Sequence, residues 1–423
     1  MEKTDSRYIA YTRLIHRELC PAMGCTEPIA VAYACAKARA LLGKLPERVE
    51  MVVSGNIIKN VKSVVVPNTG SRRGLKTSAA AGVTVADETL ELECLSRLTD
   101  ADRDALTAYL ERDCITVDVS ASGRVFDLDV TVYAGEDHAR VRLADAHTNV
   151  VHMSRNGEVL LDKPLIDAVD DPDEGLLTVE GIVNYADSVD IDEVREPLER
   201  QIACNTAISN EGLENVYGAS IGRVLMQGYG NEDVRIRAKA RAAAGSDARM
   251  SGCELPVIIV SGSGNQGITA TMPLVEYAET YGVERDRLLR ALIVADLLTV
   301  HQKTGIGRLS AFCGAVNAAC GAAAGIAYLM GGGLREVSHT LVNALAIVSG
   351  MVCDGAKASC AAKIVAALEG GLMGYEMYKN GFQFFSGDGL VKKGVENTID
   401  NIARLGRKGM QETDREILRM MIE

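Results

Sequence analysis

An α+β fold is predicted, with a mainly helical domain and an inserted α+β module that contains an antiparallel sheet. Three observations predict it. The chain has 423 residues, 47% of them apolar, which is more than one core ordinarily holds. Between residues 115 and 161, apolar and polar residues alternate in short runs separated by turn residues, the period of half-buried strands. On either side the apolar residues recur at helical spacing, with Gly and Ala abundant and Trp absent, as in helices packed closely through small side chains. The expected division is 1–45 plus 166–423 for the helical domain and 46–165 for the insert.

In chain order, a first helix is expected over about Ser6 to Leu19. "CPAMGCTEP" interrupts it, because Pro21, Gly24 and Pro28 break helical continuity. "IAVAYACAKARALLG" resumes as a helix that stops at Gly43. "RVEMVVSG" reads as a strand, "NIIKNVKSVVV" as helix or strand up to the "PNTGSRRG" loop, and "DADRDALTAYLERD" as a helix. "ITVDVSA", "FDLDVTVYAG", "HARVRLADA" and "NVVHMSRNGEVLL" are the alternating strands. From about residue 166 helices dominate, apart from "LPVIIVSGSGNQG", an apolar run entering a Gly-rich turn with a helix behind it. Residues 309–334 hold no charge over 26 positions. Length alone would allow a membrane span. Ala and Gly drive insertion weakly, however, and Asn317 interrupts the stretch. A central buried helix is the expectation.

The formal net charge is -12, which argues against a nucleic-acid backbone as partner. The 11 cysteines are scattered, without a CxxC pair. The N-terminus is polar and shows no signal-peptide pattern. Together these point to a reducing cytoplasm, where thiols pack, bind metal or react.

"VCDGAKASC" sets Cys353 and Cys360 seven positions apart, on one face if the segment is helical; Gly355 could instead bend it into a loop. With Cys313 they make three thiolates from two segments. Such a set could hold three irons of a cubane cluster and leave the fourth open as a Lewis acid. Spacing alone favours buried core thiols. Cys320, in an Ala-rich helical run, reads as core. Cys25 lies among turn formers before a helix starting near Pro28, with Glu27 two residues on. A thiol near a helix N-terminus has its pKa lowered and can serve as nucleophile or base; a buried turn cysteine is the alternative. In "SGSGNQGITATMP", free backbone N–H groups with Ser263, Asn265 and Gln266 could receive a carboxylate. The turn lacks the Walker lysine and is read as not matching G-x-G-x-x-G, so nucleotide binding is not supported. Arg72, Arg73 and Lys76 read as a solvated basic loop, and His301 and His339 as core histidines.

Five motifs taken together, "PAMGCTEPIAVAYA", "SGNIIKNVKSVVVPNTG", "SGSGNQGITATMP", "SAFCGAVNAACGAAAG" and "CDGAKASCAAK", resemble the L-cysteine desulfidases. These are related more distantly to the α domain of iron–sulfur L-serine dehydratases. The resemblance runs from about residue 9 into the C-terminal region. It implies a [4Fe-4S] cluster and β-elimination from an amino acid to pyruvate and ammonia, with hydrogen sulfide from L-cysteine. By position, Cys313, Cys353 and Cys360 match the cluster-binding cysteines, and Cys25 matches the proton acceptor. L-serine dehydration and lysis of another β-substituted amino acid are variants of the same chemistry. A non-enzymatic thiol redox sensor is the rival of another class. The expected partner is a small amino-acid substrate, with neither nucleic acid nor membrane, and room is left for a homo-oligomer.

Overall fold

The computed structural model describes residues 1–165, 171–307 and 310–422. The expected junction at 166 and the first residue of the charge-free stretch, Leu309, lie outside the described residues.

The chain opens with helix α1 (Ser6–Glu18), whose first turn is capped by the Asp5 side chain accepting from the Arg7 N–H. A short strand, β1 (Pro21–Met23), follows and was not anticipated. Helix α2 (Thr26–Leu42) has Cys25 at its N-cap and ends at Gly43, whose φ of 78° only a residue without Cβ takes freely.

A six-stranded sheet comes next, formed by β2 (Arg48–Val53), β3 (Ile115–Val119), β4 (Asp127–Ala134), β5 (Asp137–Ala144), β6 (Val150–Arg155) and β7 (Glu158–Asp162). Its strand order is β3-β2-β4-β5-β6-β7. Four of its pairings are antiparallel, as expected. The β2–β3 pair is parallel, with Val49 opposite Ile115. The reason is the long crossover between them through α3 (Gly55–Val61), α4 (Leu75–Thr84) and α5 (Asp100–Leu110), which returns the chain in the same direction. One sheet face is apolar through alternation: Leu128, Val130 and Val132 of β4 are buried, as are Ala139, Val141 and Leu143 of β5. Against that face packs α2, contributing Ile29, Tyr33 and Leu42 to the same core. The hydrophobic cores thus divide near Cys25 and not at residue 45, because α2 is apolar nearly all round and fills the space over the sheet.

The second core unites α1 with α6 (Val179–Ser188), α7 (Arg195–Glu214), α9 (Val234–Met250), α10 (Gly264–Tyr281), α11 (Arg285–Ile306), α12 (Gly314–Leu329), α13 (Leu334–Val348), α14 (Cys360–Lys379) and α15 (Val395–Arg404), while α8 (Ile221–Tyr229) packs on α9. Helix α12 is the charge-free stretch. It spans 16 residues and is surrounded by α10, α11, α13 and α14. Small residues set these distances. A Cβ on Gly321 would stand 2.6 Å from the Ala295 carbonyl of α11, and one on Gly371 of α14 would stand 2.8 Å from the Ala319 carbonyl. Among the described residues, no helix is long and apolar enough to cross a membrane.

Two contacts join the cores and frame the site. Strand β1 pairs antiparallel with β8 (Pro256–Ile258), Pro21 opposite Ile258, which brings Cys25 beside the Gly-rich turn. The terminal helix α16 (Gln411–Ile422) lies over α3, where the buried Lys59 forms an ion pair with Asp414.

Candidate active site

Four helices begin at one cavity. Its volume is about 890 Å³, and its lining includes all seven residues singled out from the sequence: Cys25, Ser263, Asn265, Gln266, Cys313, Cys353 and Cys360. Cys25 is the N-cap of α2, Ser263 of α10 and Cys313 of α12, while Cys360 is the first residue of α14 behind Ser359. None of these four N-caps makes a side-chain capping hydrogen bond. The positive ends of the four helix dipoles thus lie at the cavity. Such a place suits anions and thiolates.

On one wall, Cys313 and Cys353 come from two extended segments held together. The Cys313 N–H donates to the Met351 carbonyl at 2.9 Å, and the Cys353 N–H to the Ala311 carbonyl at 2.6 Å. Gly355 then turns with φ +92°, its α-carbon so close to the Lys59 carbonyl that a Cβ would stand 2.1 Å from it. The loop reading of 353–360 is the one realised; helix resumes only at Cys360. Burial, and then the Cys353 thiol beside it, push the Cys313 thiol up to about 12. Burial also raises Cys360. Lys303 lines the same wall, and burial lowers it to about 8 although Cys353 and Cys313 act in the other direction. Lys363 feels the same two thiols.

Three thiols opening on one cavity beside Lys303 have the chemistry of donors to a soft, anionic metal centre. Among the described residues, no group of three or more His, Cys, Asp and Glu is placed to hold a single metal ion. Cys320 lies inside α12, fully buried and away from the cavity lining, as expected of a core thiol.

Cys25 packs with Val64 and Met250 and against Ala356 and Cys360. Its Sγ–H donates to Glu27 Oε2 at 3.0 Å. The expectation of a lowered Cys25 pKa is not met. Burial, and then the Glu27 carboxylate, raise it well above the ordinary thiol value, outweighing the helix N-terminus. Glu27 is buried and is also reached by Thr26 Oγ1 at 3.1 Å and Asn60 Nδ2 at 3.0 Å. Burial acts to raise it, yet His147, Cys25 and Arg249 hold it below the usual carboxylate range. The proton of the pair therefore rests on sulfur. Glu27 was named from the sequence only as a neighbour; its role needed the fold.

The Gly-rich turn forms the floor. Gly262, Gly264 and Gly267 do have the G-x-G-x-x-G spacing. The strand before them, however, pairs with β1 and not within a βαβ unit, so the dinucleotide reading has no structural basis. Gln266 turns inward, its Nε2 donating to the carbonyls of Val260 and Ser261. Asn265 Oδ1 accepts from Arg249 Nη1 at 3.2 Å. Arg249, near the end of α9, was missed: no local motif marks it, and it reaches the cavity only through the packing of α9 on α10. Of the remaining candidates, Arg72 donates to the Thr69 carbonyl and Lys76 pairs with Asp113. His301 meets Glu396 at 2.7 Å, and His339 stacks on Tyr378.

A helical body whose helix N-termini surround a thiol-lined cavity, with an α+β module closing over it, defines the class. The model of serine dehydratase alpha chains matches residues 80–419, and the chain belongs to that family, which relates it to dehydratase-type lyases. It is similar along its whole length to a UPF0597 protein of Desulfitobacterium hafniense, at 53% identity over 100% of this chain and 98% of the relative. UPF0597 proteins of Lachnoclostridium phytofermentans and Finegoldia magna are each 46% identical. Those alignments cover 97% and 98% of this chain, and 98% and 99% of the relatives.

Proposed function

We propose that the protein is a [4Fe-4S]-dependent lyase that eliminates hydrogen sulfide from L-cysteine, giving pyruvate and ammonia. The observation that supports it most is the opening of Cys313, Cys353, Cys360 and Cys25 on one cavity beside the Gly-rich turn. Cys313, Cys353 and Cys360 would hold the cluster. When bound, it supplies a Lewis-acidic iron that favours departure of the β-sulfur.

The chain's own residues do the rest. The 261–267 turn holds the substrate. Cys25 takes the α-proton, and its own thiol proton passes to Glu27 Oε2, 3.0 Å away. The electrons of the Cα–H bond form the Cα=Cβ bond as the Cβ–S bond breaks. The aminoacrylate so released becomes an imine and hydrolyses in water. Burial of Cys25 and Glu27 keeps bulk water from exchanging the proton in flight. Elimination of water from L-serine is the second reading, favoured by the family match.

The test is anaerobic purification with iron and acid-labile sulfide analysis, followed by assay on both amino acids. About four irons per chain, with sulfide and pyruvate formed from L-cysteine faster than pyruvate from L-serine, is expected. A preference for L-serine moves the assignment to the second reading. A protein without iron that turns over neither substrate sinks both.

A further inference from the structure

Among the buried polar atoms at the cavity that have no partner among the described residues, two stand at the Gly-rich turn and are opposite in kind. Arg249 is 3% exposed, and its Nε–H lacks an acceptor. Gln266 is 3% exposed, and its Oε1 lacks a donor. The orientation of the Gln266 amide is set, since only its nitrogen can donate to the Val260 and Ser261 carbonyls. A buried guanidinium or amide oxygen left unpaired is costly. Both residues line the cavity, so a ligand there can satisfy both.

Two glycines keep these atoms open. A Cβ on Gly264, the first residue of α10, would stand 2.4 Å from Arg249 Nε. A Cβ on Gly314, the first residue of α12, would stand 3.0 Å from Gln266 Oε1. The Arg249 guanidinium is further oriented by its hydrogen bond to Asn265 Oδ1. It thus lies beside the first turn of α10, whose 18-residue helix has no side-chain cap.

We infer that this is a receptor for the head group of an α-amino acid. Arg249 and the first-turn N–H groups of α10 take the carboxylate, and Gln266 Oε1 takes the ammonium. The inference deepens the lyase reading and rests on it for the reaction. It adds Arg249 as a substrate-positioning residue and moves Gln266 from the carboxylate to the ammonium. The donor comes from α9 and the acceptor from the first turn of α10, so a ligand with only one of the two charges satisfies only one of the two atoms. Selection for a free α-amino acid follows.

The probe is L-alanine, which has the head group and no leaving group, measured by calorimetry on the anaerobically purified protein against L-alaninamide and propionate. L-Alanine is expected to bind roughly 10- to 150-fold more tightly than either, the worth of one charge-assisted hydrogen-bonding partner. Arg249→Gln should weaken L-alanine by a similar factor and leave alaninamide unchanged. Gln266→Leu should weaken L-alanine and leave propionate unchanged. If L-alaninamide binds the wild type as tightly as L-alanine, or L-alanine does not bind, the inference is overturned. The same holds if Arg249→Gln weakens alanine and alaninamide equally. Should Arg249→Gln fail to fold, the wild-type comparison of the three probes still decides. Loss of the lyase reading looks different: L-alanine binding would stay Arg249-dependent while L-cysteine and L-serine are not turned over.

Discussion

Helices α2 and α12 begin alike. Each has a cysteine at its N-cap, no side-chain cap, an apolar and Ala-rich body, and an opening on the same cavity. In both, burial is the largest influence on the thiol and raises it. The difference is in the neighbours. Cys25 faces a carboxylate that accepts its proton, whereas Cys313 faces two more thiols, Lys303 and Lys363. A helix N-terminus therefore does not assign a cysteine its task. A thiol with a base behind it can pass protons. Thiols grouped near cations can give their protons up to a metal centre and share it.

The largest effect expected from this contrast is on the metal centre. Cys313→Ala, Cys353→Ala and Cys360→Ala should each purify without a cluster and without activity, because these three thiolates are the proposed anchorage. Cys320→Ala, seven residues along the same helix and fully buried, should keep its iron. Iron, labile sulfide and visible absorbance measure this, and a Cys313 variant with full iron breaks the comparison at once.

Cys25→Ser should behave in the other way, retaining iron while turnover falls by about 10²- to 10⁴-fold, the usual contribution of a general base. Iron loss in this variant would make the two N-cap cysteines equivalent after all.

Glu27→Gln sharpens the same point with a smaller effect, roughly 10- to 10²-fold in turnover. Glu27 is held below its ordinary value of 4.5, so the wild type should keep its proton acceptor throughout the neutral range. In the variant, the Cys25 proton must leave to solvent, and the rate should climb with pH across that range. A pH–rate profile identical in shape to the wild type would remove Glu27 from the proton path.

The smallest effect on the site is expected from Asp296, which shows what burial does to an acid without a second acid or thiol among the influences on it. It lies within α11, hydrogen-bonded to Gln201 at 2.9 Å, and burial raises its pKa from 3.8 to about 7. The native pKa is above the unfolded one, so this group's contribution falls as pH rises from about 4 to about 7 and is level beyond. Asp296→Asn stays neutral throughout. Its advantage in Tm over the wild type should grow across that window and then flatten, with an upper bound on the order of 4 kcal/mol and no change in iron or turnover. A constant difference from pH 4 to pH 8 would show that burial alone does not raise this acid.

Much of the outline was legible before any coordinate. Gly43 ends α2 because the C-terminal residue of a helix favours positive φ. The alternation in 127–134 and 137–144 produced two paired strands with one buried face. The charge-free stretch became a buried helix because Gly and Ala let four neighbours come close. The parallel β2–β3 pair and the β1–β8 pair were not legible, since strand partners far apart in sequence leave no local period to read. The placement of α2 over the sheet was missed for a related reason: a helix that is apolar all round does not say which core it fills.

What the sequence determined by itself were the local preferences: where helices start and stop, which strands have an apolar face, and which cysteines, turn residues and small residues stand in suggestive company. Those follow from backbone geometry and the periodicity of side chains, which act over a few residues. Only the tertiary structure decided that four helices start at one cavity, that Glu27 accepts a hydrogen bond from the Cys25 thiol, and that Arg249 arrives there from α9 with its Nε unpartnered. Each of these depends on the electrostatics and burial of groups distant in the chain, and such interactions exist only once the fold has excluded water and set the distances.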